Sequence, residues 1–158
     1  MEVLALPPTV IVGHSMGSAV AQRLAVDHPR CTRGLVLVGS FVSWRNNPLL
    51  SAFWDEALAH LADPLDPAFV RDFQESPRVP GEYIDQMVQE SLKMPARVWR
   101  AAWRAMLEED HSPDLARIAA PTRIFWGDQD ALFPRREQEA LAAAIPGAQL
   151  IVYEGAGH

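Results

Sequence analysis

The sequence predicts an α/β protein with a parallel sheet of about four strands and an all-helical insertion. Four short apolar segments, rich in β-branched, aromatic and leucine residues, have the composition of strands. Three of them are nearly continuous rather than alternating, as in parallel strands that are covered on both faces. The four segments are residues 9–12, 35–38, 122–126 and 149–153.

Two of the gaps between these strands carry helical patterns. Residues 15–27 have small side chains near their start and stop before a His-Pro pair, because proline disfavours the helical conformation in the residue before it. Residues 134–145 open with a proline, which suits a first helical turn, and end before a Pro-Gly pair. Each helix therefore joins two strands in a strand–helix–strand unit.

Residues 41–120 differ in kind, since they contain no convincing strand and show amphipathic helical stripes separated by prolines. An insertion of this length exceeds a simple crossover, and long insertions at the carboxyl edge of a sheet often carry function. We therefore assign residues 1–40 and 121–158 to a core and residues 41–120 to a helical cap or lid. The alternative is that these helices only cover one face of the sheet.

Composition and charge restrict the partners of the protein. The 158 residues have a formal net charge of −6 and are 49% hydrophobic, which fits a globular chain without electrostatic attraction for nucleic acid. The sequence shows neither an apolar run of membrane-helix length nor a basic signal-peptide start. The single cysteine, Cys31, excludes an internal disulfide. We therefore expect a cytoplasmic protein with no nucleic-acid or membrane partner.

The segment from Gly13 to Gly17, G-H-S-M-G, matches the pattern G-x-S-x-G. The pentapeptide alone is a weak signal, but here it follows a strand and opens a helix, which is the setting of a nucleophile elbow. Glycines on both sides of Ser15 would let the strand and the helix approach without a Cβ clash. Ser15 is therefore the candidate nucleophile.

A serine nucleophile needs a base to take its proton and an acid to orient that base. Ligands of an open parallel sheet bind beyond the carboxyl ends of its strands, so both partners should follow later strands. Asp128 and Asp130 follow the third strand, and His158 follows the fourth. The residues alone do not separate the two aspartates, because both follow the same strand.

Four segments carry a resemblance to a known family. They are V-I-V-G-H-S-M-G at 10–17, L-V-L-V-G-S at 35–40, P-T-R-I-F-W-G-D-Q-D-A-L-F-P at 121–134, and I-P-G-A-Q-L-I-V-Y-E-G-A-G-H at 145–158. In these segments and in the order Ser, Asp, His, the chain resembles capped serine hydrolases of the α/β-hydrolase fold.

The resemblance implies roles for individual residues. Ser15 would be the nucleophile, His158 the general base, and Asp130 the orienting acid through the family's G-x-x-D pattern, with Asp128 as its competitor. The backbone N–H of Met16 would be one of two oxyanion donors. No cofactor is implied, and none of the histidines away from the motif has metal-ligand spacing with another.

Three tryptophans are candidates for an apolar substrate pocket beneath the cap. They are Trp44, Trp99 and Trp103. The alternative is that these side chains only pack helices against a core.

The resemblance also implies that the chain corresponds to the second half of the family's sheet. The first four strands and the loop with the second oxyanion N–H would precede residue 1, and residues 3–6 would be the tail of a helix. We therefore expect a fragment that is inactive or nearly inactive alone. The strand at residues 9–12 would leave an apolar edge through which the chain could form oligomers.

The reaction that the resemblance implies is hydrolysis of an ester or a related acyl bond in a small-molecule substrate, through an acyl-enzyme on Ser15. A serine nucleophile argues against epoxide hydrolases and haloalkane dehalogenases, which use aspartate, whereas lactonases, thioesterases and carbon–carbon bond hydrolases share the triad. Two alternatives remain: a non-catalytic module that binds a small molecule or a partner, and a truncated product without a function of its own.

Overall fold

The computed structural model describes residues 6–45, 47–76 and 78–158. Within them, one four-stranded sheet has the order β1-β2-β3-β4, and each pair of neighbours is parallel. The predicted α/β class and parallel sheet are therefore confirmed. The helix tail predicted at residues 3–6 lies outside the described residues except for its last position. The strands are β1 (Thr9–His14), β2 (Thr32–Val38), β3 (Thr122–Gly127) and β4 (Gln149–Tyr153).

Six α-helices occupy the described part of the chain. Two of them provide the crossovers that parallel neighbours require, α1 (Met16–Asp27) from β1 to β2 and α6 (Arg135–Ala144) from β3 to β4. None of the helices in these ranges is long and apolar enough to cross a bilayer. The helices between β2 and β3 are α2 (Pro48–Glu56), α3 (Pro67–Gln74), α4 (Gly81–Leu92) and α5 (Ala96–Glu108).

The chain divides into two compact units, residues 1–45 with 108–158, and residues 46–107. Residues 41–45 and 108–120, which the sequence assigns to the helical cap, belong to the first unit. The reason is burial, since Phe41, Leu115 and Ile118 are fully buried. The all-helical insertion is confirmed, and its role as a cap stays a prediction.

In the first unit, α1 and α6 pack against one face of the sheet through a single apolar core. Burying each large aliphatic side chain stabilises the fold by about 1.5–3 kcal/mol. This core therefore fixes both helices, and with them the start of α1, against the strands. Its members include Ala21, Ala25, Leu35, Leu37, Leu115, Ile118, Ile124, Leu141 and Ile145.

The second unit has its own core and its own helix caps. The side chain of Asn47 accepts hydrogen bonds from the amides of Leu49 and Leu50 at the start of α2. The side chain of Asp66 accepts a hydrogen bond from the amide of Ala68 at the start of α3. Asn47 and Asp66 each stand directly before a proline, which lacks an N–H and suits the first helical turn. The core of this unit consists of Leu65, Val70, Ile84, Val88 and Ala96.

β1 lies at the edge of the sheet, with β2 as its neighbour. Two of its apolar side chains are open to solvent, Val10 with 44% and Val12 with 66% of its surface. An exposed apolar edge strand can pair with another chain. Self-association through this edge stays a prediction.

β1 and α1 meet in a tight turn that depends on one glycine. A Cβ on Gly13 would lie 2.3 Å from the carbonyl oxygen of Gly17 and 2.8 Å from the Cα of Ser18. A Cβ on Gly17 would meet nothing within 4 Å. The close approach that the sequence predicts for both glycines is therefore present at Gly13 and absent at Gly17.

We expect Gly13→Ala to lower the free energy of unfolding by about 3 kcal/mol, because its Cβ would displace backbone atoms. Gly17→Ala is the matched control, which we expect to leave stability unchanged or to raise it by up to about 1 kcal/mol, since alanine favours a helix. Urea unfolding followed by circular dichroism measures both values. Equal stabilities of the two variants would contradict this interpretation of the turn.

Candidate active site

Ser15 stands at the turn between β1 and α1 in a strained backbone conformation. With φ 49°, it is the one non-glycine residue with positive φ in the described ranges. Its amide donates to the carbonyl of Val38 at 3.0 Å. Its carbonyl accepts from the Oγ of Ser18 at 2.6 Å, a contact that the sequence analysis did not identify. These bonds hold the strained turn against both β2 and α1.

His158 connects Ser15 to Asp130. Its Nε2 lies 2.8 Å from the Oγ of Ser15, and its Nδ1 lies 2.8 Å from Oδ2 of Asp130. The three predicted side chains therefore form one continuous hydrogen-bonded series. The parallel register explains this meeting, because the carboxyl ends of β1, β3 and β4 lie at the same edge of the sheet.

The carboxyl group of Asp130 is fully buried. Its Oδ1 accepts hydrogen bonds from the backbone amides of Leu132 at 2.8 Å and Phe133 at 3.1 Å. Burial opposes ionisation, but the hydrogen bond and charge of His158, followed by the two amides, outweigh it and hold the pKa of Asp130 below its ordinary value. The ionised Asp130 then accepts a proton-bearing Nδ1, which leaves Nε2 of His158 free to accept from Ser15.

Asp128 has a different set of partners. Its Oδ1 accepts from the amide of Gly155 at 2.6 Å. The next residue, Gln129, donates its amide to the carbonyl of Ala156 at 2.8 Å. The geometry therefore places Asp130 beside His158, whereas Asp128 holds the loop that leads to His158.

Gly39 and His14 lie beside the imidazole of His158. Gly39 has φ 50°, and a Cβ there would lie 2.9 Å from Cε1 of His158. The ring of His14 lies 5.1 Å from that of His158 between centroids. Burial and then the neighbouring His158 lower the pKa of His14, while Asp130 acts in the opposite direction. His14 is therefore a neighbour of the site, without a hydrogen bond to Ser15 among the described contacts.

The loop after β2 is fixed by buried amide side chains. Nε2 of Gln22 donates to Oγ of Ser40 and to the carbonyl of Phe41, both at 2.9 Å. Nε2 of Gln138 donates to the carbonyl of Ser40 at 2.7 Å. Oε1 of Gln22 lies 2.8 Å from Nδ1 of His111, which is also buried. This network joins α1, α6 and the loop beside Gly39, and the sequence does not predict it because these polar residues follow no local pattern.

Met16 is the first residue of α1. The amides in the first turn of a helix have no intrahelical acceptor and carry partial positive charge, so they suit a developing negative oxygen. The side chain of Met16 is 45% exposed. Its predicted contribution is therefore a backbone one, and it stays a prediction.

The three predicted substrate-binding tryptophans fall into different units. Trp44 is buried in the first unit against Phe41, with ring centroids 5.3 Å apart. Trp99 and Trp103 belong to an aromatic group in the second unit, together with Phe53, Phe69 and Phe73. Trp44 is therefore packed against a neighbouring aromatic ring, and substrate binding by all three tryptophans stays a prediction.

A cavity of about 360 Å³ lies beside His158 in the first unit. It is mostly apolar, with Val38, Phe125 and Tyr153 in its wall, and Ser15 does not line it. Among the described residues, no group of three or more His, Cys, Asp or Glu could hold a metal ion.

Comparison with known proteins identifies related sequences over the whole chain. The family model described as serine aminopeptidase, S33 (Hydrolase_4), matches residues 3–158. An uncharacterized protein of Mycobacterium tuberculosis is 28% identical over 182 aligned positions, with 100% of this chain and 52% of the relative covered. The pimeloyl-[acyl-carrier protein] methyl ester esterase of Yersinia pseudotuberculosis is 27% identical, with 93% of this chain and 61% of the relative covered.

A solved structure supports the same fold. An esterase from Exiguobacterium antarcticum superimposes with a TM-score of 0.83 at 21% identity, covering 99% of this chain and 62% of that one. At this identity the likeness shows the fold alone. The chain spans about half of the length of the Mycobacterium tuberculosis relative and about three fifths of that of the Yersinia pseudotuberculosis relative.

The lowered pKa of Asp130 predicts a pH-dependent contribution to stability. A folded pKa below the unfolded value near 3.8 makes the ionised carboxyl stabilising above that value, and this stabilisation is lost as the pH falls through the folded pKa. We expect the stability difference between wild type and Asp130→Asn to shrink as the pH falls below about 4. Urea unfolding from pH 7 to pH 2 measures it. A difference that does not vary with pH would contradict this assignment.

The contact between Asp128 and Gly155 predicts a local effect. Asp128→Ala removes the acceptor of the Gly155 amide, so we expect faster hydrogen exchange at that amide and a loss of about 1 kcal/mol in stability. Asp128→Asn retains a side-chain oxygen and is the matched control, with exchange near the wild-type rate. Equal exchange in the alanine variant and the wild type would contradict the role of Asp128 in this loop.

Proposed function

Because the chain belongs to the serine aminopeptidase S33 family of α/β-hydrolases, whose model matches residues 3–158, we propose that it hydrolyses an ester or related acyl bond through an acyl-enzyme on Ser15. The observation that carries this proposal is the series of hydrogen bonds from Ser15 through His158 to Asp130, each 2.8 Å long. This is the arrangement that an activated serine nucleophile requires.

In the acylation step, Oγ of Ser15 attacks the carbonyl carbon while Nε2 of His158 takes the hydroxyl proton. The ionised Asp130 holds the imidazole by Nδ1 and stabilises the imidazolium that forms. The negative oxygen of the tetrahedral intermediate accepts a hydrogen bond from the backbone N–H of Met16. Collapse of the intermediate breaks the acyl bond, and His158 returns its proton to the leaving group.

In the deacylation step, water replaces the leaving group. His158 removes a proton from the water, which attacks the acyl carbon. Collapse of this second tetrahedral intermediate breaks the bond to Oγ of Ser15, which takes the proton back from His158 as the acid leaves. Atoms and protons therefore balance without a metal or a redox cofactor. The same two steps apply to every bond in which a carbonyl carries a leaving group.

We propose an ester as the substrate on the basis of the named relatives. The Yersinia pseudotuberculosis relative is a methyl ester esterase, and the Exiguobacterium antarcticum structure is an esterase. An oxygen leaving group also needs less help from a proton donor than the nitrogen of a peptide bond.

We also propose a cytoplasmic location, with which the lone cysteine is consistent.

We further propose that this chain alone hydrolyses its substrate slowly. Its curated relatives contain a large part outside the matched region, since the chain covers 52% and 61% of them. A second oxyanion donor from such a part would strengthen the site, because loss of one donor costs about 10²–10³ in rate.

We expect a fluorophosphonate probe to label the chain at Ser15, because the reagent reports an activated serine independently of the natural substrate. Ser15→Ala should abolish the labelling, and His158→Gln should slow it by at least about 10²-fold through loss of the general base. Peptide mapping by mass spectrometry identifies the site, and the time course gives the rate. Ser91→Ala, in α4 of the second unit, is the control and should label as the wild type does.

The same probe distinguishes the alternatives. A longer form that contains the remaining part of the relatives should be labelled faster than this chain. If neither form is labelled while both are folded by circular dichroism, the hydrolase proposal fails and a non-catalytic binding module is favoured. Labelling at a serine other than Ser15 would also contradict the proposal.

A further inference from the structure

Phe133 touches both partners of the Asp130–His158 pair. Its ring centroid lies 5.5 Å from that of the His158 imidazole, with the two planes tilted by 51°. Its backbone amide donates to Oδ1 of Asp130 at 3.1 Å. The side chain is fully buried. One residue therefore contacts the base through its ring and the acid through its backbone.

Phe133 is itself held from two sides. The indole Nε1 of Trp126, a buried residue in β3, donates to the carbonyl of Phe133 at 2.9 Å. The ring of Phe41 stacks on that of Phe133, with centroids 5.0 Å apart and planes 27° from parallel. The backbone and the ring of Phe133 are thus fixed by separate neighbours.

We propose that Phe133, held by Trp126, is a positioning residue that aligns Asp130 and His158 with Ser15. This inference rests on the hydrolytic function proposed above. Phe133 touches neither Ser15 nor the reacting atoms among the described contacts, so it acts through the acid and the base.

The proposed role follows from the different hydrogen-bond partners of the two carboxylate oxygens of Asp130. Oδ2 binds His158, while Oδ1 binds the amides of Leu132 and Phe133. A carboxylate bound through one oxygen can rotate about its Cβ–Cγ bond, and the two amides on Oδ1 prevent that rotation. Oδ2 is thereby kept 2.8 Å from Nδ1 of His158.

The ring of Phe133 limits the movement of the His158 imidazole on the side where the two rings meet. On one side His158 faces Phe133, and on another it faces Gly39, where even a Cβ would come within 2.9 Å of Cε1. These two contacts limit the movement of the imidazole toward Phe133 and toward Gly39. Small displacements of catalytic groups have large kinetic effects, on the order of 10²-fold for about 1 Å.

Two variants test the proposal while keeping an apolar side chain at each position. Trp126→Phe removes the indole N–H that holds the Phe133 carbonyl, and Phe133→Leu removes the ring that faces His158. We expect both to shift or broaden the low-field ¹H NMR signal of the His158 Nδ1–H that bridges to Asp130. In Trp126→Phe we also expect the titration of the Asp130 carboxyl, followed by its ¹³C shift, to move to higher pH, since the backbone amide of Phe133 favours the ionised form and is less well held without the indole N–H.

Labelling by the fluorophosphonate gives the kinetic readout. The rate constant at saturating probe should fall about tenfold in both variants, while the half-saturating probe concentration stays within about twofold. Leu115→Ala is the control, because Leu115 is equally buried and belongs to the apolar core of the first unit, whose described members include neither Asp130 nor His158. It should lower the thermal midpoint and leave both NMR signatures at their wild-type values.

The outcomes separate the inference from the function on which it rests. If Trp126→Phe and Phe133→Leu lower the thermal midpoint but keep the wild-type Nδ1–H signal and Asp130 titration, the positioning role is overturned. A change in Phe133→Leu alone would overturn the part assigned to Trp126. If the wild type is not labelled at Ser15, the hydrolase proposal fails, and the two NMR measurements still decide whether Phe133 aligns the pair.

Discussion

The close approach of β1 and α1 at Gly13 is the constraint on which the arrangement of the site depends. Because a Cβ at Gly13 would meet the backbone of Gly17 and Ser18, the chain can turn there only with a glycine. The turn forces Ser15 into a positive φ, and the amide of Ser15 then bonds to Val38 at the end of β2. The position of the Ser15 hydroxyl is therefore set mainly by backbone atoms, before any side-chain partner contributes.

Backbone positions at the carboxyl edge of the sheet also determine where His158 and the two aspartates lie. The end of β2 leads into Gly39, whose missing side chain leaves room for His158, and the end of β3 leads into the loop with Asp128 and Asp130. The two aspartates divide the work, since Asp128 binds the loop before His158 and Asp130 binds its imidazole. The polar residues of the site are thus positioned by short connections to strands that the apolar core holds in register.

The features that the sequence predicts correctly depend on local signals. Continuous apolar segments identify the four strands, and proline marks the limits of α1 and α6. The order of Ser15, Asp130 and His158 after successive strands predicts that they meet, because parallel strands end at one edge. Their hydrogen bonds agree with that expectation, and their catalytic roles stay predictions. The choice between Asp128 and Asp130 needed the structure, since two residues of spacing do not tell which carboxylate turns inward.

The features that the sequence does not predict depend on contacts between distant segments. Phe133 lies in the loop between β3 and α6, directly before Pro134, and nothing in its local sequence indicates a role in the site. Its contacts with Phe41 and His158 appear only in the fold. Gln22 and Gln138 look like solvated helix positions, yet both are buried and hold the loop after β2. Residue type alone groups Trp44 with Trp99 and Trp103, whereas the fold places Trp44 in the first unit and the other two in the second.

The hydrogen bond between Ser15 and His158 joins residues that are 143 positions apart. At ribosomal rates of about 5–20 residues per second, Ser15 is synthesised on the order of ten seconds before its partner exists. In that interval β1, α1 and β2 can already pair, since their contacts are local, but the serine has no base. The hydrogen bond from Ser15 to His158, and with it the reactivity that we propose for Ser15, therefore becomes possible only after β4 and the residues that follow it have been synthesised.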